Sequence, residues 1–126
     1  MVVTTSNKNA PRVYNVAVIG GDGIGPEVTE QAVRVLKLVA QKRSRAHNFK
    51  IAFKNLIAGG AAVDACGASC PPETLAAAKE ADAILLGAIG GPQWPRPIDP
   101  NDLSKGYGPR AETGILELRK VLNLYA

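Results

Sequence analysis

The chain reads as a layered α/β protein. Three observations predict this: short β-branched apolar runs recur, helical apolar periodicity fills the intervals between them, and glycine or proline marks the junctions. The segments follow the order β-α-β-α-β, then a long loop and a last helix. The burial patterns are mixed, which leaves room for an antiparallel or edge strand, and the strand order stays open. A length of 126 residues suits one modest core or part of one.

Val13 to Ile19 is apolar and β-branched, a buried strand, and Gly20 through Gly25 supplies the turn after it. Pro26 then opens a helix, since proline is tolerated at the first helical position and Glu27 suits the positive end of the helix dipole. Its apolar stripe is Val28, Ala32, Val35, Leu36 and Val39, expected to pack on a sheet. Lys42, Arg43 and Arg45 fall between two apolar patterns and read as a solvated loop. Next, Phe49, Ile51 and Phe53 alternate with Lys50, Ala52 and Lys54, as in an edge strand with one wet face. Ala58 to Ala62 reads as a connection, Pro71-Pro72-Glu73 as a helix start, and Ala83 to Leu86 as an apolar strand. Gly90 to Pro109 is a long loop, and loops of that length are usually functional or mobile. Helical periodicity returns from Thr113 to Tyr125, with Glu112, Ile115 and Arg119 projecting in a similar direction. No glycine or proline ends that helix, so its terminus reads as an interruption. Residues 1–12 read as a flexible segment, and 13–126 as one partial domain.

Composition excludes several function classes. The net charge of +4 would suit a nucleic-acid partner, but the aromatics are few and form no stacking pattern. Two cysteines, Cys66 and Cys70, and a single histidine, His47, are too few for a zinc site or a disulfide framework. No apolar run approaches the roughly 20 residues of a bilayer span, and the first residues lack a signal-peptide core. The expectation is a cytoplasmic protein that binds neither nucleic acid nor membrane.

The glycine run from Gly20 to Gly25 invites a phosphate-loop reading, because helix N-termini bind anions. Its spacing disagrees: Pro26 stands where a third dinucleotide-fingerprint glycine belongs, and no lysine follows as in a P-loop. Gly87 to Pro92 is either turn chemistry or a place where a ligand approaches the backbone. Trp94 is either a loop anchor or the wall of a site. Arg119, on a helix, is ordinarily a solvated charge.

Together, four blocks carry a resemblance: G-D-G-I-G-P-E (Gly21 to Glu27), G-G-A-A-V-D (Gly59 to Asp64), A-D-A-I-L-L-G-A-I-G-G-P-x-W (Ala81 to Trp94) and E-T-G-I-L-E-L-R-K (Glu112 to Lys120). In this order they resemble 3-isopropylmalate dehydrogenases, within the β-decarboxylating isocitrate/isopropylmalate dehydrogenase family, from Tyr14 to Ala126. The resemblance implies an amino-terminal fragment of a three-layer α/β/α fold that is not a Rossmann fold. It implies NAD-dependent oxidative decarboxylation of 3-isopropylmalate, a step of leucine biosynthesis. It also implies Mg2+ or Mn2+, whose ligands, with the catalytic tyrosine, lysine and aspartates, lie beyond this chain.

By the same resemblance Arg119 pairs with a malate carboxylate and Ile115 touches the isopropyl branch. Gly91, Pro92, Gln93, Trp94 and Glu112 border NAD. The chemistry is consistent, because a guanidinium matches a carboxylate bidentately and an aliphatic neighbour favours an alkyl branch over a charged one. The complete form is expected to be a homodimer, and the chain alone inactive. The alternatives are a dehydrogenase of another 3-substituted malate, such as tartrate or homoisocitrate, or a non-catalytic truncated interaction product. The sequence departs from the family in having Ala111 where proline is usual, Ile115 where leucine is common, and a longer stretch from Pro95 to Gly108.

Overall fold

The computed structural model describes residues 10–124. Strand β1 (Arg12–Gly21) leads into helix α1 (Gly25–His47), then strand β2 (Phe49–Leu56). A short helix α2 (Gly60–Cys66) and helix α3 (Pro72–Glu80) precede strand β3 (Ala83–Ala88), and helix α4 (Thr113–Val121) follows the long loop. Of the expected flexible segment, residues 1–9 lie outside the described ones, and Arg12 already belongs to β1.

The strands form one sheet in the order β2-β1-β3, and both pairings are parallel. Among the described residues no antiparallel strand enters it. Val18 sits opposite Asn55 on one side and Leu85 on the other, and Ile19 opposite Leu56 and Leu86. Successive side chains of a strand point to opposite faces, so Val18 meets α1 while Ile19 meets α3 and α4. The core on that second face comprises Ile19, Ala58, Cys70, Ala78 and Leu118. Right-handed crossovers that move in opposite directions across a parallel sheet put their helices on opposite faces, which accounts for the three layers.

The outer strand β2 keeps its expected wet face: Phe49, Ile51 and Phe53 are part-buried, and Lys50, Ala52 and Lys54 exposed. Lys37 covers the Phe53 ring at 5.8 Å.

Four local expectations are corrected. Lys42, Arg43 and Arg45 lie within α1, not in a loop; Arg45 and His47 sit in its last turn, where positive charge complements the carbonyl end. The α1 stripe is rotated: Ala32 and Leu36 are part-buried as expected, but Val28, Val35 and Val39 are 47%, 61% and 48% exposed, while Thr29 is buried. Gly87 explains the rotation, because a Cβ there would meet Gly20 O at 2.4 Å, Gly25 O at 2.7 Å and Thr29 Cγ2 at 2.9 Å. Only backbone without a side chain allows that contact, and it fixes which side of α1 faces the sheet. The expected Ala58–Ala62 connection gives way to α2, whose capping group comes from elsewhere in the chain.

Helix α4, lastly, does not run on to Tyr125, which lies outside the described residues. Asn123 adopts φ 52°, its N–H bonds Lys120 O at 3.3 Å, and Leu124 N–H bonds Arg119 O at 2.9 Å. That pair of bonds closes the helix as a Schellman motif, with asparagine taking the left-handed position glycine usually fills.

Candidate functional site

The chain leaves β1 toward β2 and later returns on the other side of β1 as β3. In parallel sheets, ligands favour the crevice at the strand C-termini where direction reverses, here between β1 and β3. Asp22 stands at that point, 3% exposed. Its Oδ2 accepts from Gly60 N–H at 2.8 Å and Gly90 N–H at 2.9 Å, and its Oδ1 from Ala61 N–H at 2.7 Å. Gly60 and Ala61 begin α2, whose own flank offers no side-chain cap. Asp22 therefore caps α2 from 38 residues away.

This arrangement answers the phosphate-loop question physically. Within the glycine run, Asp22 N–H bonds Ala88 O at 2.6 Å and Gly25 N–H bonds Asp22 O at 2.8 Å, while the Asp22 carboxylate reaches out to Gly60, Ala61 and Gly90, so the run serves as a structural junction. Sequence reasoning missed Asp22; the signal was an acidic residue flanked by two glycines, both of which take positive φ here (Gly21 76°, Gly23 54°).

The segment after β3 runs directly from this junction. Trp94 lies on the backbone of Gly60, where a Cβ would meet the indole at 2.2 Å. Its Nε1–H bonds Asp64 Oδ1 at 3.1 Å, and Arg96 Nη2 reaches Asp64 Oδ2 at 3.0 Å. These contacts anchor Trp94 to α2. Gly91, Pro92 and Gln93 span the interval between the two fixed ends, with Pro92 and Gln93 exposed.

The long loop beyond is folded locally. Gly108 N–H bonds Arg96 O at 2.9 Å and Ile98 N–H bonds Gly106 O at 3.0 Å, with an antiparallel bridge between Pro97 and Tyr107. At the tip, Lys105 Nζ meets Asp99 Oδ2 at 2.7 Å. That ammonium, with the Asn101 N–H, holds the Asp99 carboxyl below its usual pKa.

Helix α4 presents the remaining candidates. Gly114 and Leu118 face inward; a Cβ on Gly114 would lie 2.3 Å from Ser69 O, so only glycine permits this seat. Ile115 and Arg119 occupy the adjacent stripe one turn apart, part-buried and exposed respectively. Glu112, at the N-cap, approaches the end of β3: a Cβ on Gly90 would come within 2.7 Å of Glu112 Oε1. Among the described residues, the carboxylate of Glu112 and the guanidinium of Arg119 make no ion pair. Ala111, which stands where proline is usual, is fully buried.

An exposed cation, a carboxylate and side-chain-free backbone at Gly90 and Gly91 are groups suited to a dinucleotide and a dicarboxylate. No three His, Cys, Asp or Glu side chains gather to hold a metal ion among the described residues. Grooves of about 440 Å³ and 340 Å³ lie elsewhere, against α1 (Val33, Lys37) and α3 (Ala77, Glu80). Cys70, buried under α4, has its thiol pushed up to about 11 by desolvation and by the nearby Glu117. It is a core residue.

A parallel α/β/α segment with this junction matches the crystal structure of a β-decarboxylating dehydrogenase from Thermococcus kodakarensis in its apo form. The likeness has a TM-score of 0.59 and 37% identity, covering 89% of this chain and 27% of that one. The fold is that of the β-decarboxylating dehydrogenases. Residues 15–126 match the family model described as isocitrate/isopropylmalate dehydrogenase, and the chain belongs to that family. It is 47% identical over 113 residues to the 3-isopropylmalate dehydrogenase of Blastobotrys adeninivorans, covering 89% of this chain and 27% of the relative. To that of Bacillus licheniformis it is 50% identical over 111 residues, covering 88% and 27%. To that of Saccharomyces cerevisiae it is 44% identical over 119 residues, covering 94% and 28%. The chain therefore spans little more than a quarter of the length of these relatives.

Proposed function

We propose that this chain is the amino-terminal part of an NAD-dependent 3-isopropylmalate dehydrogenase and contributes one wall of its substrate and cofactor site. The observation that carries the reading is the open stripe of α4. Ile115 and Arg119 lie one turn apart there, next to Glu112 and the Gly90 backbone at the reversal point of the sheet. Relatives of both fungal and bacterial origin named for this activity support it.

In this reading Arg119 holds a malate carboxylate through charge-assisted hydrogen bonds and fixes which carbon faces the cofactor. Ile115 receives the isopropyl branch and disfavours the third carboxylate of isocitrate, whose burial against an aliphatic group has no compensating partner. Glu112 and Gly91 to Trp94 border the nicotinamide end of NAD. NAD, held along Glu112 and Gly91 to Trp94, would supply the hydride acceptor for oxidation of the hydroxyl-bearing carbon, a reaction that also releases the hydroxyl proton and precedes loss of carbon dioxide. The 126 residues alone are expected to show no turnover.

The test is turnover by the full-length polypeptide, followed as NAD reduction with 3-isopropylmalate, isocitrate, homoisocitrate and tartrate offered separately. 3-Isopropylmalate is expected to give the highest kcat/KM. Arg119→Ala should lower that value by about tenfold to a hundredfold, the scale of a lost hydrogen bond to a charged group. Faster turnover of another malate would transfer the assignment to that substrate.

A further inference from the structure

We infer that Asp64 is a positioning residue for the cofactor-bordering segment, acting from outside the site through Trp94 and Arg96. The inference rests on the proposed function in one respect only, that Gly91 to Trp94 lies along NAD.

The segment after β3 has two fixed ends. At one, Gly90 N–H is bonded to Asp22; at the other, both oxygens of Asp64 are engaged, by the indole N–H of Trp94 and the guanidinium of Arg96. Both tethers converge on α2. Asp22 caps its first amides, Asp64 projects from its body, and the indole is seated on Gly60 at its start. Three exposed or part-exposed residues, Gly91 to Gln93, are then suspended between anchors. Their backbone makes a single turn, closed by Trp94 N–H on Gly91 O at 3.2 Å, and the anchors on either side decide how often that turn holds its place.

The stem of the folded loop begins at Arg96, so Asp64 also fixes where that loop leaves the sheet. Asp64 is 40% exposed on its side chain and Arg96 61%, which keeps the ion pair weak on its own. The indole bond and the Gly60 seat supply the remaining order. A segment that is pre-shaped for its ligand binds it more tightly by the fraction of time it spends in the competent shape.

The experiment uses the full-length polypeptide with Asp64→Ala, Asp64→Asn and Arg96→Ala, measuring kcat and the separate KM values for NAD and the malate. Asp64→Ala is expected to raise the KM for NAD roughly fivefold, and Arg96→Ala about twofold, the scale of exposed polar pairs. The kcat at saturation and the KM for the malate should stay near their unsubstituted values. Asp64→Asn keeps an acceptor for the indole and is expected to rescue most of the loss. Acrylamide quenching of the Trp94 emission, isolated by subtracting a Trp94→Phe background, should rise in the same order as the KM for NAD.

Greater Trp94 accessibility with an unchanged KM for NAD would overturn the inference while leaving the function intact. So would an equal loss of kcat and of affinity for both substrates, which marks a purely structural role. Absence of NAD-dependent turnover by the unsubstituted full-length protein would overturn the functional reading, and the inference with it. Arg96→Ala leaves α2 untouched, so it decides the matter should Asp64→Ala fail to fold.

Discussion

Three amides, one buried and two at part-buried bonds, depend on one carboxylate, and Asp22 is therefore the residue whose loss should be felt most. Asp22→Ala would leave Gly60, Ala61 and Gly90 N–H groups without their acceptor, at a cost of about 2–4 kcal/mol, since hydrogen bonds to charged groups are the stronger ones. The urea midpoint of the full-length polypeptide should fall accordingly; an unchanged midpoint would mean that the junction is held by other contacts. Cys70 makes a second prediction at this scale. Its folded-state pKa is raised from 9.0 to about 11, so the native state keeps a proton that the unfolded chain loses above pH 9. Stability is thus unaffected by this group below pH 9 and falls as the pH rises from 9 toward 11. Cys70→Ser should flatten the upper limb of a stability-against-pH curve. At pH 8 a thiol reagent is expected to modify the exposed Cys66 first and reach Cys70 only on unfolding.

At the scale of elements, α4 is seated by a glycine and closed by an asparagine. Gly114→Ala would force a Cβ against the Ser69 carbonyl, so α4 must shift from the core, and the expected result is a loss of stability, opposite in sign to the gain that helix propensity alone would give. Had the seat been loose, alanine would have stabilised the helix by roughly 1 kcal/mol, so the sign of the change decides. At Asn123, alanine is expected to cost about 1 kcal/mol and glycine almost nothing, because only the former meets the left-handed penalty. Thermal melts of the three forms would check this. The long loop behaves as a short paired stem, and its tip should loosen as acid protonates Asp99. Its depressed pKa makes the Lys105 contact a feature that persists above the ordinary carboxylate range and is lost as the pH falls through the lower, folded value.

For the whole molecule, the apolar balance is uneven. The Ile19 face of the sheet has a contiguous core, whereas α1 leaves Val35 61% and Leu38 52% exposed, and α4 leaves Leu116 60% exposed. The outer edges of β2 and β3 have no strand partner among the described residues. Such surfaces invite association. Expressed alone, the 126-residue chain is expected to self-associate and bind a hydrophobic dye. Sedimentation showing a monomer with a single cooperative unfolding transition would contradict this.

Much of this protein was legible in its sequence by itself. Period-two and helical patterns located β1, β2, β3, α1, α3 and α4, because each buries one face and that face recurs at the period of its backbone. The four sequence blocks carried the family. Ile115 and Arg119 were legible as neighbours, since spacing on a helix is a local property. Only the tertiary structure decided the rest, and for a common reason: the deciding contacts join residues far apart in the chain. The α1 stripe turned because Gly87 meets Gly25 and Thr29. The glycine run became a junction because its carboxylate reaches Gly60 and Gly90, and Trp94 became an anchor because Asp64 lies beneath it. No window of neighbouring residues contains those pairs, so propensity and periodicity had nothing from which to read them.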